Sequence, residues 1–301
     1  LKTINDGTSG AITLNDTTVA LSGDATDLAV ALAGTITHEG AVTVTTDSDY
    51  TAAELKTIAA ATSGAITLND TTVALSGSSS DLSAIFSENI TTHTGAVTLT
   101  TDSVYTVDEL KTINDGTNGA ITLNDRTVAL QGSVSDLTDA LQGTFSVSHL
   151  GAVRIIGTDP TAAELKIIND ATEGTITLPD TGVNFSGSAT ALSDALSGGS
   201  FTSNITVDDS EVYTLSQLKT INTATNGTIT LDDTTVALSG DATDLAVALA
   251  GTINHTGAVT VTTDSNYTLD ELKTINDGTS GAITLDDTTV ALSGDATDLA
   301  V

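Results

Sequence analysis

Apolar residues recur along the chain in two alternating patterns. A Leu followed by an apolar residue three positions later, as in Leu55 and Ile58, indicates a short amphipathic helix. After each such helix come a Gly and a run of alternating apolar and polar residues, as in 40–44 (GAVTV) and 64–68 (GAITL). Strict alternation is typical of a half-buried strand. The chain is therefore predicted to repeat a short helix followed by a short strand.

The leucines that open the predicted helices define a regular period. They are Leu1, Leu28, Leu55, Leu82, Leu110, Leu137, Leu165, Leu192, Leu218, Leu245, Leu272 and Leu299. Their spacing is 26 to 28 residues, and we call each such unit a coil. LKT coils, which open with LKTI or a close variant, alternate with intervening coils such as 24–34 (DATDLAVALAG), so two coils make a repeat of about 54 residues. Units of this size cannot bury a core alone and must stack.

The predicted fold is a repeat solenoid. We expect a parallel β-solenoid, β-helix-like, with a short helical segment in each coil of about 27 residues. Equivalent strands would pair along the axis at about 4.8 Å, with the apolar side chains inside. In one coil type a second strand is expected at 73–75 (VAL). A string of separate β-rich domains of about 54 residues is the alternative, although the sequence offers no linkers between them.

The solenoid is predicted to cover residues 1–301 as one continuous segment of about 11 coils. The chain begins and ends inside a motif, which indicates a segment cut from a longer array without caps. Residues 197–212 depart most from the repeat and are predicted to form an irregular insertion or bulge.

Polar residues mark where the helices begin. A Thr followed three positions later by Glu or Gln predicts a capping box at Thr51, Thr106, Thr161, Thr214 and Thr268. The intervening coils carry a similar pair in Asp24 and Asp27. The Tyr that precedes most of these Thr residues suits a hydrophobic staple.

Composition limits the classes of partner. The sequence has 39 acidic and 8 basic residues, a formal charge of −31, which disfavours nucleic acid and anionic membranes. There is no Cys, so disulfides and thiolate metal sites are excluded. No apolar run approaches the 18 or so residues that membrane insertion needs.

One Asp follows the main strand of every coil, and we call this set the aspartate column. Its members are Asp16, Asp47, Asp70, Asp102, Asp125, Asp159, Asp180, Asp209, Asp233, Asp264 and Asp287. Stacked carboxylates would suit Ca²⁺ or another hard cation, so these residues are the candidate metal ligands. The alternative is that each Asp forms its own turn by accepting a backbone hydrogen bond. No other cofactor is indicated.

Three further residue types recur at fixed places. Outward strand positions carry Thr13, Thr43, Thr67, Thr98, Thr122, Thr177, Thr206, Thr230, Thr260 and Thr284. These could bind an ordered surface such as ice or could simply suit a strand. Lys2, Lys56, Lys111, Lys166, Lys219 and Lys273 are expected on a solvated face that offsets nearby acids. His38, His93, His149 and His255 are expected in loops, too far apart to share one zinc ion.

An enzyme is not indicated, because a catalytic constellation is normally unique in a chain. Here every Ser, His and Asp belongs to a repeating environment, so no catalytic residue is predicted.

The segments 50–58 (YTAAELKTI), 63–77 (SGAITLNDTTVALSG) and 40–48 (GAVTVTTDS) resemble the tandem repeats of giant secreted surface proteins of marine picocyanobacteria and related bacterial adhesins. This resemblance implies an extracellular or cell-surface location and a role in a fibre, surface coat or adhesin stalk. The partners expected are copies of the chain, joined head-to-tail or laterally into filaments, and the cell envelope or other surface proteins. A module that binds cations or an ordered surface is the alternative function.

Overall fold

A computed structural model describes residues 1–45, 49–87, 89–100, 104–178, 183–262 and 266–293. Within these ranges the helices are α1 (Lys2–Asp6), α2 (Ala25–Leu32), α3 (Ala52–Ala61), α4 (Ser79–Phe86), α5 (Val107–Gly116), α6 (Val134–Leu141), α7 (Ala162–Ala171), α8 (Ala189–Leu196), α9 (Leu215–Ala224), α10 (Ala242–Leu249) and α11 (Leu269–Gly278). The strands are β1 (Leu21–Gly23), β2 (Val42–Val44), β3 (Ile66–Leu68), β4 (Leu75–Gly77), β5 (Val97–Leu99), β6 (Ile121–Leu123), β7 (Leu130–Gly132), β8 (Val153–Ile155), β9 (Ile176–Thr177), β10 (Asn184–Gly187), β11 (Asn204–Val207), β12 (Ile229–Leu231), β13 (Leu238–Gly240), β14 (Val259–Val261) and β15 (Ile283–Leu285).

The helices begin where the polar residues predict. At α3 the Thr51 side chain accepts a hydrogen bond from the Glu54 N–H, and the Glu54 carboxylate accepts one from the Thr51 N–H. The same reciprocal pair opens α5, α9 and α11, and the same two hydrogen bonds join Thr161 to Glu164. In the intervening coil, Asp24 accepts from the Asp27 N–H at the start of α2. The predicted capping boxes are confirmed, and they fix the boundaries of helices too short to be stable alone.

The strands assemble in groups of three. Among the described residues, three-stranded parallel sheets include those with the orders β1-β2-β3, β4-β5-β6, β10-β11-β12 and β13-β14-β15. In the first, Leu21 pairs with Val42 and Val42 pairs with Ile66, so apolar side chains align on the inner side. These repeated strand–helix units with parallel strands make a repeat fold of the solenoid-like kind.

Strand pairing differs from the prediction at the third strand of each sheet. The strands of successive coils were expected to pair in one uninterrupted series. The chain leaves β3, turns, and forms β4 at Leu75–Gly77 rather than at 73–75, and β4 pairs with β5 instead of β3. The remaining edge of β3 receives a single bridge, in which Ile66 donates to the Asn89 carbonyl and accepts from the Thr91 N–H. The turn after β3 therefore begins a new sheet every second coil.

Contacts along the chain divide it into two compact units. One contains Leu1–Val153 with Ala171–Gly174, and the other contains Arg154–Asp170 with Thr175–Val301. In the first unit each helix from α1 to α6 packs on the next, and in the second the same holds from α8 to α11. The prediction that 1–301 is one continuous segment stays a prediction.

The core of each unit is built from the recurring apolar residues. Leu110 and Leu137 in the first unit and Leu218 and Leu245 in the second are completely buried. The inner strand residues, such as Val97, are buried as well. Since helices from different 54-residue repeats share this core inside a unit, the alternative of separate 54-residue domains is wrong there.

Candidate functional site

The aspartate column forms turns. The Asp70 Oδ1 accepts hydrogen bonds from the N–H and the hydroxyl of Thr72 at 2.8 and 2.7 Å. The same pair of bonds recurs at Asp16, Asp125, Asp233 and Asp287. These bonds hold the pKa of each of the five carboxyls below its usual value. The turn alternative therefore accounts for these five members.

The other members of the column differ. Asp159 and Asp209 are exposed, and Asp208 rather than Asp209 caps the turn at Ser210. Asp47, Asp102, Asp180 and Asp264 lie outside the described residues. Among the residues that the structure describes, no three His, Asp or Glu side chains come together as a metal-binding group. Cation binding by the column stays a prediction.

Outward hydroxyl groups form rows across the sheets. Ser22, Thr43 and Thr67 are register partners in the first sheet, and none of them is buried. Equivalent Ser–Thr–Thr rows cross the sheets that begin with β4, β10 and β13. Thr177 is exposed in β9, and Thr13 is exposed outside any strand. Most of the predicted Thr positions therefore lie on outer sheet faces.

Five lysines connect their LKT coils to the next coil among the described residues. Lys56 of α3 pairs with Asp81 of α4, and Lys219 of α9 pairs with Asp244 of α10. Lys2, Lys111 and Lys166 make equivalent pairs with acidic residues of the next coil. The side chains are one third to one half exposed, as expected for a solvated face that offsets acids.

The capping Glu and a recurring Asn also reach a neighbouring coil. Glu54 accepts a second hydrogen bond at 2.6 Å from the hydroxyl of Thr26, which lies in the first turn of α2. The Asn114 side-chain amide donates at 2.8 Å to the carbonyl of Asp139 in the last turn of α6. Asn5, Asn169 and Asn222 donate to the equivalent carbonyls of Val30, Asp194 and Val247. This Asn was not predicted, although ND or NT after the LKTI motif is a signal for it in the sequence.

Glycines permit close backbone contact on the strand side. A Cβ added at Gly64 would overlap the carbonyl oxygen of Gly40. Gly119 stands in the same relation to Gly95, and Gly281 to Gly257. At these positions the Gly before the predicted strand is therefore required by the approach of one coil to the next.

The histidines lie outside the helices and strands, as predicted, but unlike ordinary loop residues they are buried. His38, His93, His149 and His255 are at most 2% exposed. In each, Nε2 lies 2.8 Å from a Val carbonyl of the preceding LKT coil. The Nδ1 atom lies 3.0 to 3.4 Å from a Thr hydroxyl of the following coil. We call these four residues the histidine column; it joins three successive coils.

The segment 197–212 is more regular than predicted. Phe201 is buried and forms a bridge with Thr225, as His93 does with Thr117. Residues Asn204–Val207 form β11, which pairs with β10 and β12. Phe201 therefore takes the place of His in this repeat, and the apparent irregularity is largely a substitution.

The tyrosines add one more bond between coils. The Tyr50 hydroxyl donates at 2.7 Å to the carbonyl of Asp70, and Tyr105 and Tyr267 bond equivalent carbonyls. The Tyr213 hydroxyl is buried with no hydrogen-bond partner among the described residues. Burial, followed by the charge of Asp233, raises the pKa of Tyr213 to about 12.

Open grooves lie between the ends of neighbouring helices. One of about 480 Å³ is lined by Asn222, Val247, Ala250 and Gly251, among others. Another of about 520 Å³ includes Leu32, Ile36 and Lys56. Their lining residues are the inter-coil contacts described above, so the grooves follow from coil stacking.

The part of the chain that the structure describes contains no helix with the length and hydrophobicity that crossing a bilayer requires. No protein-family model, curated protein or solved structure matches the chain.

Proposed function

We propose that this chain is a structural, non-enzymatic repeat protein that forms a fibre, surface coat or adhesin stalk outside the cell. The observation that supports this most is that the recurring side chains bond the adjacent coil. Examples are the contacts of Lys56 with Asp81, of Asn114 with Asp139 and of His93 with Thr117. Such bonds hold an array together and allow length to grow by adding coils.

The proposal also covers the way in which successive coils are arranged. Successive coils would continue as a β-helix-like solenoid, in which the three-stranded sheets follow one another along the axis. The charge of −31 favours solubility and disfavours nucleic-acid partners. Copies of the chain would associate head-to-tail or laterally, and the array would attach to the cell envelope or to other surface proteins.

Single-molecule pulling tests the mechanical role. A stalk should resist force and unfold in steps that release one 54-residue repeat or a simple multiple of it. At full extension each repeat contributes roughly 180–190 Å of chain. Negative-stain images of the chain at high concentration test association, for which filaments are expected. Extension without resistance, together with uniform single particles, would contradict the proposal.

Surface location needs a separate test. Antibody raised against the chain should label intact source cells, and brief protease treatment of those cells should remove the label. Labelling that appears only after the cells are broken would exclude the extracellular role.

A second candidate is binding to an ordered surface, which the aligned Ser–Thr–Thr rows favour. Ser22, Thr43 and Thr67 would stand about 4.8 Å apart across their sheet. An ice-recrystallisation assay tests this candidate, and Thr43→Lys with Thr67→Lys, which alters one of the rows, is the variant that should weaken the effect. Titration calorimetry with Ca²⁺ tests the aspartate column, for which an absence of heat and of thermal stabilisation would remove the cation version.

A further inference from the structure

The histidine column joins coils through both ring nitrogens. At His93, Nε2 lies 2.8 Å from the Val73 carbonyl, and Nδ1 lies 3.4 Å from the Thr117 hydroxyl. A carbonyl only accepts, so Nε2 carries a hydrogen and donates to it. The Thr117 hydroxyl donates to the His93 carbonyl at 3.2 Å, and its oxygen accepts from the Gly119 N–H at 2.9 Å. The ring thus contacts the coil before it and the coil after it.

Protonation would place a charge in a buried site that does not neutralise it. The two nitrogens contact a carbonyl and a hydroxyl, neither of which carries a negative charge. The ring is fully buried, and the Phe86 ring packs against it with 5.9 Å between the ring centroids. A buried charge without a contacting counter-ion is costly.

The surrounding charges offset only part of the effect of burial on the histidine pKa values. The Asp70 carboxylate acts on His93 and the Asp125 carboxylate acts on His149, and both favour the protonated ring. Burial is nevertheless the largest effect, and it lowers the pKa of His93, His149 and His255 below the ordinary value of 6.5. For His255 the opposing contribution is the Val236 carbonyl.

We propose that His93, His149 and His255 of the histidine column form a pH-sensitive element of the fold, which joins neighbouring coils at neutral pH and loosens them in mild acid. Burial favours the neutral form of these three rings in the folded state, while the unfolded chain takes up protons below about pH 6.5. Stability is therefore fully present above pH 6.5 and falls as the pH decreases toward the folded-state pKa values. The coil that contains Phe201 has no such ring and should not respond.

The chain supplies its own control, because equivalent amides report on each position. The N–H groups of Ser63, Asn118, Glu173 and Ser280 donate to the carbonyls of the four histidines. The Asn226 N–H donates in the same way to the Phe201 carbonyl at 3.0 Å. Hydrogen exchange of the unmodified chain can therefore compare the positions of His93, His149 and His255 with one phenylalanine position.

The first experiment measures that exchange at pH 7.5 and pH 5.5, corrected for the intrinsic pH dependence. Protection of Asn118, Glu173 and Ser280 should fall in acid, by up to about tenfold for each histidine that the opening exposes, while protection of Asn226 changes less. Equal changes at all four amides, or no change, would overturn the proposal.

The second experiment measures urea unfolding from pH 7.5 to pH 5.0. The logarithm of the unfolding constant should rise by up to about one per pH unit for each histidine in the unit that unfolds. Carboxylates contribute toward the acid end of this window, because the unfolded chain takes up protons at Asp and Glu from about pH 5 downward, and comparison with matched histidine variants cancels that contribution.

Matched variants assign the effect to the ring. His93→Phe introduces the residue found at position 201. It should reduce the dependence of the logarithm of the unfolding constant on pH by up to one per pH unit. Phe201→His places an imidazole opposite Thr225 and should add up to one. An unchanged slope in both variants, or greater stability of the original chain in acid, would overturn the proposal. If either variant fails to fold, the exchange comparison on the unmodified chain decides.

Discussion

The helices and the strands of each unit join successive coils in different ways. Helices pack on the next helix without interruption, from α1 to α6 in one unit and from α8 to α11 in the other. Strands pair in groups of three, and the turn after β3 starts a new sheet. This difference indicates that continuous cohesion between coils comes from the helices and their side chains. The strands instead set the local register through close backbone contacts.

The largest effect is expected where backbones touch on the strand side. Gly119→Ala would place a Cβ on the carbonyl of Gly95, and neither backbone can move without disturbing its coil. We expect a loss of roughly 4 kcal/mol in the free energy of unfolding, measured by urea titration. Gly23→Ala is the control, because its nearest neighbour would be Leu28 Cγ at 3.7 Å, an ordinary contact. Equal stability of the two variants would show that the glycine contacts do not set the register.

The helix side is tested by removing a core leucine. Leu110 is completely buried between coils, and Leu110→Ala should cost about 3 kcal/mol through lost burial and the cavity left behind. Ile167→Ala is the matched surface change, because Ile167 is 37% exposed, and it should cost well under half as much. If Leu110→Ala proved harmless, the helices could not be the main source of cohesion.

The asparagine contacts give a smaller effect. Asn114→Ala removes a hydrogen bond to a carbonyl in the last turn of α6 and should cost about 1 kcal/mol. Asn124→Ala is the control, since Asn124 is exposed. α3 already carries Ala59 at the place that Asn114 takes in α5, so the native fold tolerates one such loss. A variant with wild-type stability would mean that water replaces the amide fully.

The ion pairs should contribute least. Lys56 and Asp81 are 49% and 40% exposed, so Lys56→Gln is expected to cost about 0.5 kcal/mol or less in dilute buffer. The difference from wild type should disappear in 1 M salt, because screening removes the attraction. A larger cost that persists at high salt would indicate that packing of the lysine stem matters more than its charge.

Much of the architecture could be read from local patterns. The period of 26 to 28 residues, the capping boxes and the buried leucines all follow from residue spacing that the structure keeps. The turn at Asp70 could also be read, because Asp accepts bonds from its own backbone two residues on.

The histidine column could not be found in this way. A His two residues before a Gly has the composition of a loop, and its burial depends on the Val73 carbonyl and the Thr117 hydroxyl of two other coils. The same limit explains 197–212, since Phe201 matches the histidines only in its bridge to Thr225.

The sequence by itself determined the repeat, the start of each helix and the residues that form the core. These depend on spacing within one coil, where periodicity and capping act over a few residues. Only the tertiary structure decided that the strands group in threes, that glycines touch across coils and that the histidines are buried. Such features arise from contacts between residues some 20 to 25 positions apart, whose partners no local pattern specifies.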